Sequence, residues 1–200
     1  HQTVLLRNIV KLFGISSHIK IYDNALSKKE CQILINQFEK SPQVEGGVYI
    51  KNDYGIDQSH KKCMELKGSN FLNKNIITNI VREKINRYVN KYKEEFPSLD
   101  NFVSSWQIDN GYTFQKYERK GDGYKSWHCE AGGHAQNRML AWMFYLNNAK
   151  CGTEFYDYGI INAKTGRCVI WPAYWTHVHR GVTPNKGIKY IITGWCSYLE

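Results

Sequence analysis

From Phe102 onward the chain reads as short β-type runs punctuated by glycine, a rhythm that only a few architectures can accommodate. Runs rich in β-branched and aromatic residues span Val103 to Ile108, Tyr112 to Tyr117, Tyr124 to Glu130, Leu140 to Leu146, Thr153 to Tyr156, Cys168 to Trp171, Trp175 to His179 and Lys189 to Tyr198. Gly111, Gly121, Gly123, Gly132, Gly133, Gly166 and Gly187 lie between them or at their ends, where chain reversals need them. Regularly spaced short strands that follow helices indicate an α+β fold, mainly β, built on a sandwich or barrel.

The helices lie upstream. Ser27 with Glu30 three positions later forms a capping-box pattern, and Cys31, Leu34, Ile35 and Phe38 then recur at helical spacing to about Lys40. The longest helix is expected over Asn73 to about Glu95. Its stripe of Ile76, Ile77, Ile80, Val81, Ile85, Tyr88, Val89 and Tyr92 suits packing on the outside of a sheet. Pro97 ends it, because the residue before a proline avoids helical geometry. Ile19 to Tyr22 reads as a short strand, and residues 4 to 15 as a strand or a short helix. Residues 41 to 68 read as strand and loop, with β-like runs at Val48 to Ile50 and Met64 to Leu66. No linker or repeat divides the chain. Its 200 residues are therefore expected to form one domain, with helical support over about 1–100 and a β core over about 100–200.

Chemistry gathers between Tyr124 and Trp195. In a strand, His128 and Glu130 would share a face, giving half a metal site. A second imidazole from a distant strand would complete a two-histidine, one-carboxylate set on one side of a metal and leave the other side open, as in non-haem Fe(II) oxygenases. His177 and His179 compete for that place, since both could lie on one strand face. The turn signal Thr183-Pro184-Asn185-Lys186-Gly187 precedes an apolar run. A hairpin closed there would set Lys189 within a residue or two of His179, where an inward-facing cation suits an anionic co-substrate such as a dicarboxylate.

The ordered set Tyr117, Gly121-Asp122-Gly123, Tyr124, His128-Cys129-Glu130, Tyr145-Leu146-Asn147, Gly152-Thr153-Glu154-Phe155, His179-Arg180-Gly181, Lys189-Tyr190 and Trp195 resembles the prolyl-4-hydroxylase-type branch of the Fe(II)- and 2-oxoglutarate-dependent oxygenases. Small phage-encoded members are a point of comparison. The resemblance covers roughly residues 100 to 200. It implies a double-stranded β-helix (jelly-roll, cupin-like) core, with Fe(II) bound by His128, Glu130 and His179. His179 is favoured over His177 for its family-like spacing to Lys189. Lys189 would pair with the distal carboxylate of 2-oxoglutarate, with the Tyr145 hydroxyl as its partner; Tyr117 would line that pocket, and Thr193 and Trp195 would sit near it. The implied activity is hydroxylation of a C–H bond with O2, most favourably on a prolyl residue of a protein or peptide, with succinate and CO2 as co-products and ascorbate as a candidate stimulant. Two departures stand out. Glu130 replaces the usual Asp, and one extra residue separates Tyr124 from His128.

Other features are weighed against these. The net charge of +9 fits solubility or acidic partners in general. It also motivates a nucleic-acid-modifying oxygenase, or a basic or ribosome-associated protein as substrate. Lys28-Lys29, Lys61-Lys62 and Lys91 to Lys93 are scattered, which argues against a dedicated nucleic-acid surface. A cupin-like module with a structural metal is the non-enzymatic alternative. The six cysteines show no CxxC pair or regular spacing, so neither a zinc knuckle nor a disulfide framework is expected. With no visible signal peptide and no long apolar stretch, a cytoplasmic protein is expected, in the host cytoplasm for a phage-encoded member, with no membrane partner. His1 in place of Met reads as a trimmed end. His134 is expected in solvent and Cys129 as a buried thiol on the face opposite its neighbours. Glu154 and Asp157 read as strand-edge and turn polar groups, and Arg138 and Arg180 as surface ion-pair formers by default, with contact to substrate as the alternative.

Overall fold

The structure, a computed structural model, describes residues 17–50, 53–101, 103–118, 121–184 and 187–199, so the element expected over residues 4 to 15 lies outside it. The first half contributes strands β1 (Lys20–Tyr22), β2 (Val44–Glu45), β3 (Val48–Ile50), β4 (Asp53–Gly55), β5 (Lys61–Lys62) and β6 (Met64–Lys67). The second half contributes β7 (Trp106–Tyr117), β8 (Gly123–Tyr124), β9 (Arg138–Tyr145), β10 (Gly152–Phe155), β11 (Gly159–Asn162), β12 (Arg167–Pro172), β13 (His179–Gly181) and β14 (Lys189–Tyr198). A seven-stranded sheet runs in the order β1-β12-β9-β14-β7-β6-β2, and a smaller one runs β11-β10-β13. An antiparallel bridge between His128 and His179 extends the smaller sheet to the segment after β8. From β7 to β14 the chain therefore passes back and forth between two sheets, which is the winding of a double-stranded β-helix.

Alternation along the strands assigns each side chain to a layer. On β9 and β12, Leu140, Trp142, Phe144, Cys168 and Ile170 turn to one face of the large sheet and join the cluster made with the helices. Ala141, Met143, Tyr145, Val169 and Trp171 turn to the other and pack with Phe155 of the small sheet. Close packing on the helix side uses Gly194, where a Cβ would come within 2.2 Å of the Trp142 ring.

The helices are α1 (Lys28–Lys40), α2 (Lys74–Glu95) and the short α3 (Ser98–Asn101). The capping box starts α1: the Glu30 N–H donates to Ser27 Oγ at 3.2 Å, and the Ser27 N–H donates to Glu30 Oε2 at 2.7 Å. Its buried Cys31, Leu34 and Phe38 anchor it to the large sheet, the two larger side chains contributing about 1.5–3 kcal/mol each. No side-chain hydrogen bond caps α2, so packing holds it: Ile77, Val81, Ile85, Tyr88, Val89 and Tyr92 are buried. Ile76 lies off that row and is 52 % exposed, narrowing the expected stripe at its start. Among the described residues no helix is long and apolar enough to cross a membrane.

Several expected strands differ. From Trp106 on, the two expected runs ending at Ile108 and Tyr117 merge into the single strand β7, and Val103 to Ser105 lie outside it. Gly111, expected between strands, is absorbed there as an irregularity, since β14 pairs Gly194 with Tyr112 and then Cys196 with Ile108. Tyr124 to Glu130 is a strand only at Tyr124, and Trp175 to His179 is a 3-10 turn over Trp175–His177 before β13 begins. The strand β11 was not anticipated. The hairpin expected between His179 and Lys189 does not form. β13 pairs with β10, and His179 bridges His128. Lys189 lies instead opposite Tyr117 of β7 in the large sheet. Asn185 and Lys186 of that turn lie outside the described residues.

Candidate functional site

The bridge that joins the His128 segment to β13 also builds the site. The His128 N–H donates to the His179 carbonyl at 3.0 Å, and the His179 N–H donates to the His128 carbonyl at 2.9 Å, so the two imidazoles stand side by side, 4.4 Å between ring centroids. Glu130 is held by its own backbone, with the N–H groups of Glu130 and Ala131 both donating to the Ala173 carbonyl. His128, Glu130 and His179 thus offer ligand atoms within 4.8 Å of one another. Glu130 Oε1 lies 3.7 Å from His128 Nε2 and 3.3 Å from His179 Nε2.

The outer ring nitrogens explain why this set suits a cation. His128 Nδ1 lies 3.0 Å from the Ser126 carbonyl and His179 Nδ1 lies 2.9 Å from the His177 carbonyl. A carbonyl only accepts, so each Nδ1 carries the proton and each Nε2 keeps a lone pair facing Glu130. Burial, reinforced by His179, lowers the His128 pKa and favours its neutral, ligating form. His177 has no lone pair to offer, because its Nε2 meets the Ser17 carbonyl at 2.6 Å and its Nδ1 meets Thr176 Oγ1 at 2.8 Å. Two neutral imidazoles and one carboxylate, the one such ligand cluster among the described residues and set in a cavity wall, fit an open Fe(II) site.

The same residues line a cavity of about 690 Å³, and Lys189 lies in its wall at 2 % exposure. Its Nζ donates to the Gly152 and Val182 carbonyls, both at 3.3 Å, and stands 4.5 Å from the centroid of the Tyr117 ring. No carboxylate lies within ion-pair reach of it among the described residues. Burial accordingly lowers its pKa, partly offset by Cys151 and Cys63. A buried cation without a counter-charge is costly, and it fits one carboxylate of a dicarboxylic acid.

Residues 112–197 match the model of the 2OG-Fe(II) oxygenase superfamily. Over that stretch the chain is similar to this superfamily, whose enzymes use Fe(II), 2-oxoglutarate and O2. No curated protein matches the chain in sequence. Among solved structures it is similar to the viral collagen prolyl hydroxylase of Paramecium Bursaria Chlorella virus-1 in complex with 2-oxoglutarate, with 16 % identity and a TM-score of 0.61 over 92 % of this chain and 97 % of that one. It is also similar to a prolyl hydroxylase of Trichoplax adhaerens in complex with a hypoxia inducible factor peptide fragment, with 14 % identity and a TM-score of 0.69 over 98 % and 90 % of the two chains. A Pseudomonas putida prolyl-4-hydroxylase aligns over the whole of both chains, with 10 % identity and a TM-score of 0.60. At these identities the likeness is one of fold.

Other expected site residues fall in different places. Tyr117, Thr193 and Trp195 line the cavity. Tyr145 does not; its hydroxyl lies behind the wall, 2.7 Å from Thr153 Oγ1, and Thr153 takes the cavity position instead. Cys129 lines the cavity half-buried, with its thiol donating to the Ala131 carbonyl; outside a strand there is no alternation to turn it away. His134 is exposed, as expected, and stands at the cavity rim. Arg180 pairs with Glu154 at 2.8 Å, whereas Arg138 is no surface ion-pair former: it lies against Glu130 and Trp195 inside the cavity. Sequence reading also missed Lys61 and Glu65, a pair at 2.7 Å with both side chains buried in the cavity wall. Lys61 donates to the Gly47 carbonyl as well. Their spacing of four reads as a surface pair, and only the β5–β8 pairing, with Lys61 opposite Tyr124, brings them inside.

Proposed function

We propose that the enzyme hydroxylates a prolyl residue of a protein or peptide, with Fe(II) held by His128, Glu130 and His179 and 2-oxoglutarate anchored by Lys189. The observation that carries this reading is the sharing of one cavity by a two-histidine, one-carboxylate triangle and a buried lysine with no carboxylate in ion-pair reach among the described residues. Fe(II), once bound, would supply the activation of O2 that couples decarboxylation of 2-oxoglutarate to C–H hydroxylation.

The chain's own groups bind, orient and shield. The ε-ammonium of Lys189 would bind the distal carboxylate, with Thr153 beside it and the Tyr117 ring against its stem. Met143 and Ile191 line the cavity between polar groups and keep water from the reacting end. The rim is open on a side formed by Tyr54 of the β3–β4 hairpin and by His134 of the turn after Gly132, which leaves access for a chain rather than only a small molecule. Because Lys61 and Lys189 come from the two halves of the sequence and line one cavity, the two halves would act as one catalytic domain. Prolyl hydroxylase activity among the structurally similar proteins favours proline as the target. The net charge of +9 favours substrates that are acidic or carried on an acidic assembly such as a ribosome.

Anaerobic calorimetry of 2-oxoglutarate with and without Mn(II), followed by mass spectrometry of proline-containing peptides after turnover with Fe(II), tests this. Metal-dependent binding and a peptide gain of one oxygen atom, matched by succinate, are expected. Succinate formation stimulated by RNA or DNA but not by peptides would replace the prolyl substrate with a nucleic acid. Failure of the metallated protein to bind 2-oxoglutarate would leave a cupin-like metal module.

A further inference from the structure

Glu130 is one methylene longer than the aspartate common at this position in the resembling family, and its two oxygens are treated differently. Oε1 points between the imidazoles of His128 and His179. Oε2 is turned away from them and accepts from the Trp195 indole N–H at 2.8 Å and, at the longer distance of 3.5 Å, from the Arg138 guanidinium. Arg138 also donates to the Glu130 backbone carbonyl at 3.1 Å and lies flat over the Trp195 ring, 3.7 Å from its centroid. The free end of the longer side chain is thus gripped by two residues that are braced against each other.

An irregularity in the sheet delivers Arg138 to this position. β14 pairs Trp195 with Ala141 and Cys196 with Leu140, and then pairs Ser197 with Arg138, skipping Met139. Met139 and Leu140 both join the cluster on the helix side. In an unbroken register Arg138 would share the parity of Leu140 and point there too; the extra residue turns it to the cavity face, the side of Trp195.

We propose that Trp195 and Arg138 are positioning residues that hold Glu130 to ligation through one oxygen. A carboxylate with both oxygens free can take two positions on a metal, and open positions are what the co-substrate and O2 require. Occupying Oε2 with an indole N–H and a guanidinium removes that option and freezes the extra rotor of Glu relative to Asp. This inference rests on the metal-site reading above.

The test is a double-mutant cycle of Trp195→Phe with Glu130→Asp, read by Mn(II) calorimetry and by the visible absorption of the Co(II)-loaded protein, which weakens as coordination number rises. In the wild-type background Trp195→Phe should weaken Mn(II) binding about tenfold and lower the Co(II) absorption. In the Glu130→Asp background, where the shorter carboxylate cannot reach both the imidazoles and the indole, Trp195→Phe should change neither. Unchanged values in the wild-type background, or equal changes in both, would overturn the proposal and leave Trp195 as a wall of the cavity. If Trp195→Phe does not fold, Arg138→Met carries the same cycle, with a smaller effect expected from its longer contact. Absence of Mn(II) binding by the wild type would strike the metal-site reading itself, an outcome distinct from failure of the cycle.

Discussion

Along β14, Ile192 and Cys196 face the helices while Lys189, Ile191, Thr193 and Trp195 face the cavity; along β9, Trp142 and Phe144 alternate in the same way with Met143 and Tyr145. The first set is dry, apolar and packed against α1 and α2. The second set includes a cation with no counter-charge among the described residues and an indole N–H spent on a carboxylate. Two neighbouring residues on one strand can therefore differ in whether they serve folding or chemistry, and a one-residue step decides which. The helix face can be described by volume and burial alone. The cavity face carries groups that cost stability and are understandable only with a ligand in view.

Substitutions on the two faces should separate cleanly. Trp142→Ala, on the helix face, should cost about 3–5 kcal/mol in chemical denaturation, with Mn(II) affinity unchanged for the molecules that remain folded. Lys189→Ala should lose roughly 1.5–3 kcal/mol of 2-oxoglutarate binding in calorimetry, while Lys189→Met, which keeps the volume without the charge, should raise the urea midpoint of the ligand-free protein. A Lys189→Met protein less stable than wild type would erase the contrast between the faces. Ser27→Ala, remote from the cavity, should cost about 1 kcal/mol through loss of the α1 cap, with no change in co-substrate affinity.

Acid titration sharpens the comparison at the sheet edge. Hydrogen bonds from Arg167 and Lys164 lower the Asp23 pKa to about 2. Its folded value lies below the unfolded one, so its stabilisation is present above about pH 4 and is lost as pH falls towards 2. Asp23→Asn should flatten the stability profile in that window and not above it, by a small amount because the pair is partly exposed. Ile76→Ala, at an exposed position of α2, should move the midpoint by no more than about 0.5 kcal/mol.

The elements legible in the sequence were those with a local signature. The Ser27–Glu30 cap, the apolar row of α2, and the strands β9, β12 and β14 follow from spacing alone, because their partners lie on the faces that the spacing marks. His128, Glu130, His179 and Lys189 were legible as an ordered set, though not their geometry. His128 and Glu130 meet through an extended loop pinned by the Ala173 carbonyl, and Lys189 reaches the cavity from the opposite sheet. The choice between His177 and His179 rests on which carbonyl each ring nitrogen meets, a tertiary fact. Arg138, Lys61 and Glu65 were misread or missed for a common reason: a bulge in one case and a non-local strand pairing in the other reverse the side that local pattern assigns. Gly111 shows the converse: expected between two strands, it lies inside β7 because β14 continues past it on the other side.

The extra residue at Met139 has a genetic consequence. It is slack in the coding sequence: removing its codon would restore the regular register with Arg138 still opposite Ser197, whereas removing the codon for Leu140 or Ala141 would shift the residues that pair with Cys196 and Trp195. Deletions a few nucleotides apart should therefore divide into one that leaves the partners of Cys196 and Trp195 in place and those that replace them, with Arg138 opposite Ser197 in each.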